Sequence, residues 1–282
     1  MTDYTKSLPD HTVQYIGEQD LYLEIFEGDE IQGRSNHRPP LLFVHGAYTG
    51  SWMWSKYIPH FVEKGWTCYA MNLRSHYKSR VQDMTRVTFE DYLEDIQEII
   101  TACGEPPILI GFSMGGILSQ KLAESSPLRG LVVIDSSLSQ EVLRSVPYAD
   151  VVRITPGLVV PAPVHDELTS IDESAEDIAF QRKYLAMESS QAFSTFSAFF
   201  GGEDVVSING ESITCPSLVI KAVSSEEEEQ RGRLTAEQLH AEYTGLWHTT
   251  HTGLLVGQRY FEAVKIILEW LDRRKSEFSS QH

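Results

Sequence analysis

The sequence predicts an α/β protein with a mostly parallel central sheet covered by helices on both faces and a helical cap inserted after the sixth strand. Two observations carry this prediction. Short, apolar, mostly turn-bounded runs recur along the 282 residues, as strands buried on both faces should. Between them lie longer stretches whose apolar residues recur at three- and four-residue steps, the mark of amphipathic helices. Alternating strands and helices favour a parallel sheet, because a parallel pair needs a crossover between its members.

Taken in order, the first element differs from the rest. Tyr22, Glu24 and Phe26 alternate with Leu23 and Ile25, and turn residues flank the run at 17–20 and 28–29, which predicts an antiparallel hairpin at the sheet edge. The candidate central strands are 41–44, 68–73, 108–112, 131–134 and 218–220. The clearest helix covers 88–103, where Phe89, Leu93, Ile96, Ile99 and Ile100 share a face and Thr88 with Asp91 resembles a capping box. A comparable stripe of Tyr260, Phe261, Val264, Ile267, Leu268 and Leu271 predicts a C-terminal helix. The alternation lapses between about residues 138 and 208, a stretch with Pro156-Gly157, Pro161, Pro163 and a helical-looking segment carrying Phe180, Tyr184, Phe193, Phe196, Phe199 and Phe200. It reads as a helical cap, 138–208, set into a core of 1–137 and 209–282. Its aromatics either pack the cap's own underside or line a substrate pocket.

Composition narrows the partners. The formal net charge of −17 argues against nucleic acid, whose phosphates require clustered Lys and Arg. The apolar runs are too short to span a bilayer, and residues 1–10 mix Asp3, Lys6 and Asp10 with no apolar stretch, so a cytoplasmic protein without a membrane span is expected. Cys68, Cys103 and Cys215 are far apart and form no CxxC pair, so free thiols are expected. Oligomeric state stays open.

The chemistry centres on Gly111-Phe112-Ser113-Met114-Gly115, which follows the apolar run 108–110 and opens a helix. A G-x-S-x-G in that setting suits a nucleophilic serine, because a sharp turn that lifts the hydroxyl clear of the sheet tolerates only small neighbours. A serine nucleophile at neutral pH needs a base, and His248 and His251 are the candidates near the C-terminus. No HExxH occurs among the ten histidines, and residues 111–116 have neither the Lys-Ser/Thr ending of a P-loop nor the spacing of a dinucleotide site. No metal and no cofactor are expected.

Together with Leu41-Leu42-Phe43-Val44-His45-Gly46, Leu73-Arg74-Ser75-His76-Tyr77-Lys78-Ser79, and His251 with its downstream Phe261, these motifs resemble the α/β-hydrolase superfamily of the lipase, esterase and lysophospholipase kind. The resemblance covers nearly the whole chain outside the cap. It implies that Ser113 is the nucleophile and that His251, which precedes an apolar triplet and then a helix, is the base rather than His248. It also implies an oxyanion hole made by the Ala47 and Met114 backbone N–H groups, with His45 a structural histidine. The acid is expected a few residues past the strand that follows the cap, but no Asp follows 218–220. The Glu226 to Glu229 run does, and Glu226 is the first choice; the alternative is Asp135, at the end of 131–134. The implied activity is hydrolysis of a carboxylic ester or related acyl bond of a small, partly apolar substrate through an acyl-enzyme. Acyl transfer, thioester or carbon-carbon hydrolysis, a lyase reaction, and a non-catalytic small-molecule binding protein are the other readings the fold admits.

Overall fold

The computed structural model describes residues 2–28, 38–149, 154–164, 170–197 and 205–279. In chain order the elements are β1 (Thr12–Ile16), β2 (Leu21–Phe26), β3 (Leu41–Val44), α1 (Ile58–Glu63), β4 (Cys68–Met71), α2 (Phe89–Ala102), β5 (Ile108–Phe112), α3 (Met114–Ala123), β6 (Gly130–Ile134), α4 (Gln140–Ser145), β7 (Val159–Val160), α5 (Ala175–Tyr184), β8 (Glu188–Ser189), α6 (Ser190–Phe196), β9 (Ser217–Val223), α7 (Glu226–Gln238), β10 (Glu242–Trp247), α8 (Tyr260–Arg273) and α9 (Lys275–Ser279).

Eight strands form one sheet in the order β1-β2-β4-β3-β5-β6-β9-β10. The β1–β2 and β2–β4 pairs are antiparallel and the others parallel, so the predicted edge hairpin and central parallel strands are both present. Both faces are covered because both sets of alternate side chains are apolar. Leu41, Phe43, Ile108 and Ile110 pack with Trp54, Phe61, Val264 and Ile267 on the α1 and α8 side. Leu42, Val44 and Leu109 pack with Ile96, Ile99, Ile117 and Leu118 on the α2 and α3 side. The start of α2 carries the predicted reciprocal cap: Asp91 N–H donates to Thr88 Oγ1 at 3.1 Å and Thr88 N–H to Asp91 Oδ2 at 2.8 Å.

Two features depart from the sequence reading, and a third, the burial of Glu24, lies outside it. Strand β10 lies in a stretch that held no expected strand, since Glu242, Thr244 and Gly245 break any apolar run and an edge strand needs only one well-covered face. On β2, Glu24 is buried, because the Ser51 and Tyr22 hydroxyls both donate to its carboxylate. Between β6 and β9 the chain leaves the sheet, and its described part holds the short antiparallel pair β7–β8 as well as helices α4, α5 and α6.

The aromatics of this excursion divide between the two roles considered for them. Phe180 is fully buried against Tyr4, Trp52 and Tyr184, so it packs the underside. Phe193 and Phe196 line the cavity described below. Phe199 and Phe200 lie outside the described residues.

Candidate active site

Ser113 follows β5 and precedes α3 with φ 54° and ψ −118°, a conformation that side-chain-bearing residues rarely adopt. The turn is held at both ends: Ser113 N–H donates to Ile134 O at 3.2 Å, and Ser113 O accepts from Ser137 N–H at 3.0 Å and Gly116 N–H at 3.0 Å. A Cβ on Gly115 would stand 2.3 Å from Val44 O and 2.4 Å from His45 O, so the second glycine of the motif is required by close backbone approach.

His251 begins the short turn between β10 and α8, and its ring stacks on Phe112, the residue before Ser113, with centroids 4.5 Å apart. Its Nδ1 is hydrogen-bonded to Asp135 Oδ2. That bond makes Nδ1 the protonated nitrogen and leaves Nε2 as the basic one. His248, by contrast, is exposed and does not line the cavity.

The carboxylate that reaches His251 is therefore Asp135, and the first-choice acid, Glu226, is not brought to the site. The reason is local. Ser225 accepts the Glu228 N–H and caps α7, so Glu226 falls in the first helical turn with its side chain exposed. Asp135 instead directly follows β6, beside β9 in the sheet, and takes a positive φ of 40° that Asp tolerates better than most residues.

Asp135 is buried, which by itself raises a carboxyl pKa; the adjacent Lys221 charge and the His251 bond outweigh this and hold it well below the usual carboxylate range. Lys221 Nζ lies 2.6 Å from Asp135 Oδ1 and 2.7 Å from Glu228 Oε2. Burial pulls its pKa down, but those two carboxylates carry it above the ordinary lysine value. Sequence reasoning passed over Lys221. The signal was there: a lone Lys inside an apolar strand run almost always has a buried carboxylate partner.

The turn after β3 brings Ala47 to the same place. His45 is fully buried there, with Leu73 N–H donating to Nε2 at 3.1 Å and Nδ1 facing Gly46 O at 2.8 Å. One nitrogen accepts and the other donates, so the ring is neutral; burial, and then the neighbouring His76, lower its pKa to about 3. Among the described residues, neither the Ala47 nor the Met114 N–H is taken up by a protein acceptor.

Ser113, Asp135, His251 and Ala47 line one cavity of about 620 Å³, which Tyr48, Leu138, Leu185, Phe193 and Phe196 also line, together with Lys221 and Glu228. A family model described as the alpha/beta hydrolase fold matches residues 39–151, the stretch from β3 through Ser113 to just beyond Asp135. The chain has the α/β-hydrolase fold.

Solved structures of this α/β-hydrolase fold align over nearly the whole chain at low identity. A carboxylesterase structure from the thaumarchaeon Nitrososphaera gargenis is 15% identical with a TM-score of 0.66, covering 94% of this chain and 100% of its own. The monoacylglycerol lipase of Paleococcus ferrophilus is 20% identical with a TM-score of 0.65, over 91% and 99% of the two chains. The enol-lactonase of Burkholderia xenovorans is 16% identical with a TM-score of 0.66, over 93% and 100%.

Among the described residues of this hydrolase-fold chain, no cluster of His, Cys, Asp and Glu has the makings of a metal site, and no helix is long and apolar enough to cross a membrane.

Proposed function

We propose that this protein is a serine hydrolase that cleaves a carboxylic ester or related acyl bond, with Ser113 as nucleophile, His251 as base and Asp135 as acid. The observation that carries the reading is the bond from His251 Nδ1 to Asp135, made in the cavity that Ser113 also lines. The esterase, lipase and lactonase activities named for the similar structures support the same class.

In the reaction, His251 Nε2 removes the Ser113 Oγ proton as Oγ bonds to the carbonyl carbon. The imidazolium so formed is stabilised by ionised Asp135, and the tetrahedral oxyanion accepts from the Ala47 and Met114 N–H groups. Return of the proton to the leaving alcohol breaks the C–O bond and leaves the acyl group on Ser113. Water, deprotonated by the same imidazole, then attacks the acyl carbon, and proton return to Ser113 releases the acid.

The described part of the 138–208 segment serves as a cap over this site, and its Phe193 and Phe196 with Tyr48 form the apolar wall for the acyl chain. The substrate is accordingly a small molecule with an apolar acyl part. A panel of p-nitrophenyl esters and acyl thioesters, run beside Ser113→Ala and a serine-directed fluorophosphonate, tests the reading. Ester turnover and labelling that both vanish in Ser113→Ala are expected. A wild-type chain that is neither labelled nor active on any of these acyl compounds would point to a lyase or a binding protein instead.

A further inference from the structure

Between Ser170 and Ser190 the cap carries three buried carboxylates: Asp172, Asp177 and Glu188 are 4%, 5% and 0% exposed. A carboxylate in such a place is tolerated only when its oxygens are well supplied with donors. Asp177 finds its donors at the start of α5 and in Lys56 and Tyr4. The other two reach the loops that carry the catalytic groups.

Asp172 accepts from the residues just before His251. The Thr249 hydroxyl donates to its Oδ2, and the Thr250 N–H and hydroxyl donate to its Oδ1 at 3.0 Å and 2.7 Å. Its own carbonyl accepts from Gln258 N–H at 2.8 Å, beyond the turn. The fit is close enough that a Cβ on Gly253 would meet Asp172 Oδ2 at 2.3 Å. Glu188 does the same for the opposite loop. Its Oε2 accepts from Tyr48 N–H at 3.3 Å and faces His76 Nε2 at 3.1 Å, while its Oε1 accepts from the Tyr92 hydroxyl at 2.5 Å and Ser189 N–H at 2.8 Å. Two residues away, Ala186 N–H donates to Tyr48 O at 2.8 Å, so both backbone groups of the residue after Ala47 are held by the cap.

We propose that Asp172 and Glu188 are positioning residues, through which the docked cap sets the base loop around His251 and the oxyanion turn at Ala47-Tyr48. The proposal rests on the serine-hydrolase reading above and adds to it that the cap is part of the catalytic framework as well as a cover for the substrate. If these carboxylates only fasten the cap, their loss alters stability and substrate access and leaves the chemical step alone.

Asp172→Ala, Asp172→Asn and Glu188→Gln separate the two roles when kcat, KM, melting temperature and the rate of fluorophosphonate labelling of Ser113 are measured on the full chain. Asp172→Ala should lower kcat on the order of 10²-fold, the scale expected when a catalytic group is misplaced by about 1 Å, with KM little changed. Asp172→Asn should recover most of that loss, because its amide oxygen still accepts from Thr250 and its NH₂ can donate to the Thr249 hydroxyl. Glu188→Gln must set its NH₂ against either Tyr48 N–H or Ser189 N–H, so it should lower kcat and slow labelling. If Glu188→Gln does not fold, the Asp172 pair decides alone. Wild-type kcat in Asp172→Ala, or a change confined to KM or melting temperature, overturns the proposal while the labelled wild type keeps the serine-hydrolase reading intact. A wild-type chain that is not labelled overturns that reading, and this proposal with it.

Discussion

Lys221 Nζ lies 2.6 Å from Asp135 Oδ1, and His251 Nδ1 is bonded to Oδ2 of the same carboxylate. Asp135 is thus shared between a buried ammonium and an imidazole. On its far side Lys221 meets Glu228, which in turn pairs with Arg231 at 2.6 Å, so charges of opposite sign alternate from His251 to α7.

Lys221→Met should therefore destabilise the fold by about 3–5 kcal/mol at neutral pH, the usual result of removing one partner from a buried pair. The pH dependence has a definite sign. A carboxyl whose folded-state pKa is depressed below its ordinary 3.8 contributes stability that is complete above that value and lost as pH falls through the folded value. Without Lys221 the main influence holding Asp135 down is gone, so acid unfolding should start at a higher pH. Urea unfolding across the acid range checks this, and an unchanged acid midpoint would show that Lys221 has no hold on Asp135.

The two carboxylates weighed for the acid are separable by isosteric amides. Asp135→Asn keeps the shape but favours the wrong histidine tautomer, and a loss of about 10⁴ in kcat is expected by analogy with other triads. Glu226→Gln, on an exposed first turn of α7, should leave kcat near the wild-type value. Equal losses in the two variants, measured on one p-nitrophenyl ester, would rule out the assignment of Asp135.

What could be read in advance follows from where each signal resides. Apolar period and turn residues are local, so the parallel strands, the edge hairpin, α2 with its Thr88 cap and the Ser113 turn were all legible. The carboxylate that meets His251 was legible only as the alternative, Asp135, because that contact depends on which strand end faces His251 across the sheet, and the Glu226 run drew attention by its position in the chain. What that run supplies is a helix start capped by Ser225, with Glu228 touching the site only through Lys221. Strand β10 escaped for a different reason: at the sheet edge its pairing is set by the backbone ladder with β9, and Glu242, Thr244 and Gly245 carry no strand pattern of their own.

The backbone strain at Ser113 predicts a trade between stability and activity. A side-chain-bearing residue at φ 54° and ψ −118° stores on the order of 1–3 kcal/mol, which glycine does not incur. Ser113→Gly should be inactive yet melt at a higher temperature than Ser113→Ala, which keeps the strain. Differential scanning calorimetry of the two variants compares them directly, and a lower melting temperature for the glycine variant would mean that the turn is not strained.

The aromatic wall predicts acyl-chain selectivity. The Phe193 and Phe196 rings lie 4.7 Å apart, tilted by 50°, and Tyr48 lies 5.6 Å from Phe193, so a lengthening acyl chain gains buried contact at about 0.8 kcal/mol per methylene. Phe196→Ala should lower kcat/KM for a hexanoyl ester far more than for an acetyl ester. A uniform loss on both esters would place the acyl group elsewhere in the cavity.

His76, behind the Ala47-Tyr48 turn, gives the alkaline counterpart of the Asp135 effect. Its Nδ1 faces Arg74 O at 3.0 Å and its Nε2 faces Glu188 Oε2 at 3.1 Å, so both nitrogens meet acceptors and both carry protons. Burial opposes that charge, but Glu188, the Arg74 carbonyl and the more distant Asp95 outweigh it and raise the pKa above 6.5. The other groups around it, the neutral His45 ring and the Tyr92 hydroxyl, bring no negative charge. A raised folded-state pKa contributes stability that is complete below 6.5 and is lost as pH rises through the folded value. Deprotonation would turn a lone pair toward an acceptor and loosen the carboxylate that holds Tyr48. Unfolding free energy should therefore decline on the alkaline side in the wild type, and His76→Gln should abolish much of that decline. An imidazole signal of His76 that titrates at or below the ordinary histidine value would sink the idea.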